Sequence, residues 1–203
     1  MNLRYRLWFG SAAAGAFLLG TAALALMVPG YSQVHQTISE IGEMGSPARV
    51  PFAITLVCVA ACILVFASAV RRVCSDAGRS SWAAYLIGYM AVPMVGLAIF
   101  ASPHPLHNVF GISEIIAYVT LLVLALAWRR EPRAKALVTL SWIASLLVWV
   151  ALALNLSALQ PNGAVWTSVA PVIGIAQRTL FITWFGWCAI TGIMLSDFVA
   201  APG

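Results

Sequence analysis

Residues 51–72 read PFAITLVCVAACILVFASAVRR, twenty consecutive residues without a charge followed by Arg71 and Arg72. At 1.5 Å rise per residue, a helix of about 20 apolar residues crosses the ~30 Å hydrocarbon layer of a bilayer. Apolar runs long enough to do the same occur at about Leu7–Val28, Trp82–Ala101, Asn108–Trp128, Ala136–Ser157 and Val172–Leu195. The sequence therefore predicts an all-α membrane protein, a bundle of six transmembrane helices. Composition agrees, with 62% hydrophobic and 8% charged residues and a mean hydropathy of +0.95, whereas about a quarter of the residues in a soluble domain are charged. Six spans of about 20 residues use roughly 120 positions and leave about 80 of 203 for loops and tails. One membrane domain over residues 1–203 is expected, with no room for a sizeable soluble domain. Disordered, collagen-like and disulfide-framework classes are excluded.

Basic residues set the expected orientation, because Lys and Arg accumulate in cytoplasmic loops. Arg4 and Arg6 precede span one, Arg71, Arg72 and Arg79 join spans two and three, and Arg129, Arg130, Arg133 and Lys135 join spans four and five. Nine of eleven basic residues thus fall on one side, and only Arg49 and Arg178 on the other. Both termini are expected in the cytoplasm, in a multi-pass protein of the cell membrane. The net charge of +5 marks topology rather than a nucleic-acid surface, and membrane lipids are the expected partners. Span one could be mistaken for a signal peptide, but its apolar run is too long and its exit, Val28-Pro29-Gly30-Tyr31, lacks an A-x-A cleavage pattern.

Several features read as packing. Cys58, Cys62 and Cys188 fall in spans and Cys74 in a cytoplasmic loop, so no pair is available outside for a disulfide. Trp8, Trp82 and Trp128 fall at cytoplasmic span ends and Trp166 on the outer side, as an aromatic belt predicts. Ser11/Gly15 and Ala12/Ala16/Gly20 give span one a small-residue face for close helix approach. Pro93 should kink span three. No internal repeat is visible.

The outer side holds His35, His104 and His107 together with Glu40, Glu43 and Glu114, so any chemical site is expected there. The first outer loop carries Val34, Ile38, Ile41 and Met44 at helical spacing. That pattern predicts a short amphipathic turn, lying against the outer membrane surface or capping the bundle, ended by Gly45 and Pro47. Pro105 suits the first turn of span four, placing His104 and His107 near a helix N-terminus, where the macrodipole favours neutral imidazole. His107 and Glu114 lie two turns apart on one face. Glu114 is an ionisable residue within a span, a functional-site hypothesis by default. Its expected partner is Arg178 in span six, since both sit roughly 8–10 Å below the outer boundary at helical rise. Gln177, Asn155 and Glu40 could complete a polar network. His35, His104 and His107 with a carboxylate from Glu40 or Glu114 would form a zinc-type set with an open water position.

The segment Thr37-Ile38-Ser39-Glu40-Ile41-Gly42 resembles the T-I-S-[DE]-L-G stretch of an uncharacterised prokaryotic membrane family, domain of unknown function 998, with Ile41 in place of the more usual Leu. His107 at the start of span four, and Gly174, Gln177 and Arg178 in span six, are similar to that family too. The resemblance extends over nearly the whole chain. It implies a six-span bundle with its shared polar residues on the outer side, and it supplies no activity, substrate or cofactor.

Three classes of function stay open on these residues. The first is an outward-facing hydrolase or transferase acting on a lipid or lipid-linked substrate. There His107 or His35 serves as metal ligand or base, Glu40 or Glu114 activates water, and Arg178, with Gln177 and Asn155, holds an anionic head group. The second uses the same pocket to bind or transport a small ligand or proton. The third is a structural or accessory protein whose polar network locks the bundle.

Overall fold

The computed structural model describes residues 2–200 and is helical throughout its regular structure, with no strand among the described residues. Eleven α-helices follow in order: α1 (Leu3–Leu7), α2 (Phe9–Ala25), α3 (Ile38–Ile41), α4 (Arg49–Asp76), α5 (Trp82–Tyr89), α6 (Ala91–Ile99), α7 (Pro105–Tyr118), α8 (Thr120–Trp128), α9 (Lys135–Leu156), α10 (Ala164–Val169) and α11 (Ile173–Ala200). Six helical stretches are long and apolar enough to cross a membrane: Leu3–Ala25, Arg49–Asp76, Trp82–Ile99, Pro105–Trp128, Pro132–Leu159 and Ala164–Val199. The even number, with α1 packed on α11, puts the first and last described helices at the same end of the bundle.

Boundaries move from the apolar runs for local reasons. Span one stops at Ala25 rather than Val28, because Pro29 disfavours helical backbone in the residue before it. Span two continues through Arg71 and Arg72 to Asp76, where Arg72 Nε donates to Asp76 Oδ2 at 3.0 Å one turn on. Span three breaks between Tyr89 and Ala91, as expected from Pro93, whose ring clashes with the carbonyl four residues back. Span six begins with a separate turn, α10, which Pro171 divides from α11.

Each span packs on its neighbours in sequence, and α11 closes the ring by packing on α2. Glycines permit the closest approach. A Cβ on Gly10 would lie 2.6 Å from the Cys188 carbonyl oxygen, and one on Gly192 would lie 2.4 Å from that of Leu7. Gly15, expected at the packing face, has open space instead. Buried polar bonds add specificity. Thr120 Oγ1 donates to Ala83 O at 2.9 Å between spans three and four, and Trp187 Nε1 donates to Ser141 Oγ at 2.9 Å between spans five and six. Trp128 is fully buried against Phe198 rather than in a belt, while Trp8 and Trp82 are exposed. At the chain-terminal end, Arg79 pairs with Glu131 at 2.9 Å and ties two loops together.

The ring is uneven in one place. Span five packs on α8, the lower half of span four, and much less on α7, the upper half. A gap therefore opens between α7 and α9 at the end of the bundle opposite the termini.

Candidate functional site

The loop from Tyr31 to Pro47 roofs that end of the bundle. Its helix is one turn, Ile38–Ile41, ended by Gly42 rather than by Gly45 and Pro47. Ile38 and Ile41 are buried, whereas Val34 and Met44 are exposed. The turn thus caps the bundle, and the apolar spacing of the whole loop does not form one helix face. Glu40 Oε1 accepts from the Thr37 backbone N–H and hydroxyl, each at 2.8 Å, and Oε2 accepts from Gln36 Nε2 at 2.9 Å. These bonds fix the N-terminus of the turn, as a capping carboxylate does.

Span six holds the roof in place. Gly174 N–H donates to Val34 O at 3.0 Å, and the Gln177 side-chain oxygen accepts from Ile38 N–H at 2.6 Å. Arg178 donates to Gln36 O at 2.9 Å, to Gly174 O at 3.0 Å and to the Tyr31 hydroxyl at 2.6 Å. That hydroxyl in turn donates to Thr37 O at 2.7 Å. Burial raises the Tyr31 phenol above its ordinary pKa, outweighing the opposite pull of the Arg178 guanidinium. Tyr31 thereby stays an O–H donor. On the far side, Met44 N–H bonds Ser102 O at 2.9 Å, and Arg49 reaches Ala98 O at 2.8 Å and Ile99 O at 3.2 Å. Arg49 thus satisfies carbonyls that the end of span three leaves open.

Beneath the roof lies a cavity of about 740 Å³ whose walls include Phe17, Phe52, Leu56, Ile115 and Phe181. Its volume falls within the roughly 300–1,000 Å³ of small-molecule sites. Its polar lining includes Glu40, His107, Asn108, Glu114, Asn155 and Gln177. Ile112 and Leu159 also line it and are 47% and 67% exposed, so the cavity borders the lipid-facing surface at the gap between α7 and α9. At the inner end stands Glu114, nine residues or about 13 Å along the helix from Pro105.

Glu114 is 5% exposed. Tyr118, one turn further, donates to its Oε2 at 2.8 Å, and Oε1 has no hydrogen-bond partner. The expected pair with Arg178 does not form. The helical rise matched their depths, but rotation about the helix axes separates them. α7 packs on α5 and α6, whereas α11 packs on α2 and α9, and the Arg178 bonds go to Gln36 and Tyr31 in the roof and to Gly174 in its own helix. Arg178 is therefore a clamp for the loop and is not among the residues that line the cavity. Tyr118 and Tyr31, the actual partners, were not singled out. The i, i+4 spacing of Glu114 and Tyr118 was the available signal for the first.

The histidines do not gather into the expected metal set. Among the described residues no group of three His, Cys, Asp or Glu could hold a metal ion. His35 Nδ1 bonds the Pro171 carbonyl, tethering the roof to the start of span six. His104 caps α7, its Nδ1 accepting from Leu106 N–H at 3.2 Å, which consumes the lone pair a metal would take. Only His107 lines the cavity, and its Nδ1 lies 2.9 Å from Phe100 O. A carbonyl can only accept, so Nδ1 carries the hydrogen, and Nε2 of the neutral ring is an acceptor.

The comparisons with known proteins bear on this arrangement. A family model described as a protein of unknown function, DUF998, matches residues 11–194. The chain belongs to the DUF998 family. No curated protein and no solved structure matches it. In this DUF998 chain, Thr37–Gly42 and Gly174–Arg178, two of the three places on which the resemblance rested, are joined by the bond from Ile38 N–H to Gln177. The backbone cradle explains Gly174, where a Cβ would lie 2.4 Å from Gln33 O and 2.5 Å from Gln36 O.

Proposed function

We propose that this protein binds a small amphipathic molecule drawn from the membrane, in the cavity between α7 and α9. The observation that carries the reading is a cavity with apolar walls, a polar inner end at Glu114, and exposed apolar residues at its lateral edge. Binding of this kind needs neither a metal nor a complete catalytic motif. The experiment fills the cavity from α7. Gly111 lines it, and a Cβ there meets nothing within 4 Å, so Gly111→Leu adds bulk without a backbone clash. Mass spectrometry of organic extracts should find a molecule that co-purifies with the native protein and is depleted at least several-fold from Gly111→Leu. Equal extracts from the two proteins overturn the reading.

A second reading, hydrolysis or group transfer on the bound molecule, is favoured by His107, whose fixed tautomer leaves Nε2 available as a general base. Incubation with extracted membrane lipids would then yield a product lost in His107→Gln. We further propose a multi-pass protein of the cell membrane with cytoplasmic termini and the roof outside, on the distribution of arginines. A C-terminal fluorescent-protein fusion that folds only in the cytoplasm should be bright, and a dark fusion would reverse the orientation.

A further inference from the structure

We infer that the cavity selects a ligand whose polar head donates hydrogen bonds and carries no negative charge, an amine or an alcohol on an apolar chain. This rests on the binding reading above and names its ligand class. Among the described residues that line the cavity, no Lys or Arg occurs, while two Glu side chains do. Three polar groups in it keep an atom free to accept from a ligand. Glu114 Oε1 is buried without a partner. His107 Nε2 is an acceptor because Nδ1–H faces Phe100 O. Asn155 spends one side-chain N–H on Ala151 O at 2.8 Å, leaving its oxygen and its second N–H for a ligand. Donors are present too: Gln177, whose oxygen takes the Ile38 N–H, turns its N–H₂ the other way, and the Trp166 indole, the Ser102 hydroxyl and Asn108 also line the cavity.

A carboxylate or phosphate head brought to this surface finds no cation and faces two Glu side chains. An ammonium or hydroxyl head supplies the hydrogen-bond partner that Glu114 Oε1 lacks. A buried acceptor left unsatisfied costs about 1–3 kcal/mol, so the differential sits at the inner end of the cavity, where water cannot compensate. The apolar chain of the ligand then lies along Phe17, Leu56 and Ile115 toward the gap beside Ile112.

Three twelve-carbon probes separate the possibilities: tritiated dodecylamine, dodecanol and dodecanoate, each titrated onto the full chain in nanodiscs with empty nanodiscs as blank. Dodecylamine and dodecanol should saturate above the blank, and dodecanoate should bind at least about tenfold more weakly, the factor that one lost interaction of this size produces. Glu114→Gln, close in shape, should narrow the preference for dodecylamine at least about threefold. Asn155→Leu, away from Glu114, should weaken both donors and spare the ratio between them. Dodecanoate binding as tightly as dodecylamine overturns the inference while leaving the binding reading standing. A Glu114→Gln protein that keeps the full preference overturns it as well. If no probe saturates above the blank, the binding reading itself falls and this inference with it.

Discussion

Gly174→Ala tests whether span six holds the roof through backbone contact. The added Cβ would lie 2.4 Å from Gln33 O and 2.5 Å from Gln36 O. Both are backbone atoms, so no side chain can rotate away. Ordinary van der Waals contact begins near 3.4 Å, so the loop has to retreat by about 1 Å. The Gly174 N–H bond to Val34 O, now 3.0 Å, and the Arg178 bond to Gln36 O, now 2.9 Å, would then open to about 4 Å, past the hydrogen-bond limit. One neutral bond is worth about 1 kcal/mol and one charged bond about 1.5–3 kcal/mol, a gross loss of about 2.5–4 kcal/mol. Alanine returns up to about 1 kcal/mol over glycine in a helix, leaving a net cost of about 1.5–3 kcal/mol.

The same helix supplies the control. Gly186 has nothing within 4 Å of a Cβ, so Gly186→Ala should be neutral or stabilising by about 0.5–1 kcal/mol. The assay is an SDS titration in mixed micelles, followed by reaction of the buried thiols Cys74 and Cys188 with a maleimide dye. Gly174→Ala should unfold at lower SDS than the native protein, and Gly186→Ala should not. Hydrogen exchange at Ile38 should rise only in the first variant. Equal midpoints for the two variants would refute the roof-clamp argument.

A double-mutant cycle between Glu114→Leu and Arg178→Met should give a coupling below about 0.5 kcal/mol, because the two share no partner. The same cycle between Tyr31→Phe and Arg178→Met should exceed it, since their side chains bond at 2.6 Å. Ser141→Ala should destabilise by about 1–3 kcal/mol, as it strips the buried Trp187 Nε1 of its acceptor. On the alkaline side, the folded Tyr31 pKa is raised, so the unfolded chain releases that proton first. The Tyr31 contribution to stability is full below the ordinary phenol value of about 10 and lost as pH rises through the folded value. Alkaline titration of Tyr31→Phe should lack that component.

The bundle was legible because a bilayer imposes one requirement on every span, a long uncharged run, and the chain meets it six times. The helix break one turn before Pro93 was equally legible, since its cause is covalent. Loop architecture was less so. Val34, Ile38, Ile41 and Met44 keep helical spacing, but only the middle two pack; the turn ends at Gly42, where a Cβ would strike the Phe52 ring at 2.1 Å. The pairing of Glu114 with Arg178 failed for a related reason. Residue count along a helix gives depth, whereas partnership depends on rotation and on which helices adjoin, and neither is written in one span's sequence. The histidines shared the outer side, yet hydrogen bonds to three different segments hold them apart.

The charges that topology leaves over divide by sign. Arg49 and Arg178, the two outside the basic clusters, both end on backbone carbonyls, those of Ala98 and Ile99 and those of Gln36 and Gly174. Their work is to satisfy acceptors that a helix end and a loop expose. Glu40 is likewise spent, on Thr37 and Gln36. Glu114 differs: it lies in a span, has no cation beside it among the described residues, and keeps one buried oxygen without a partner. A structural carboxyl in that setting is expected to gain stability from full hydrogen bonding. One left half-satisfied at the end of a 740 Å³ cavity is better placed to complete its bonding with a bound molecule than to hold helices together.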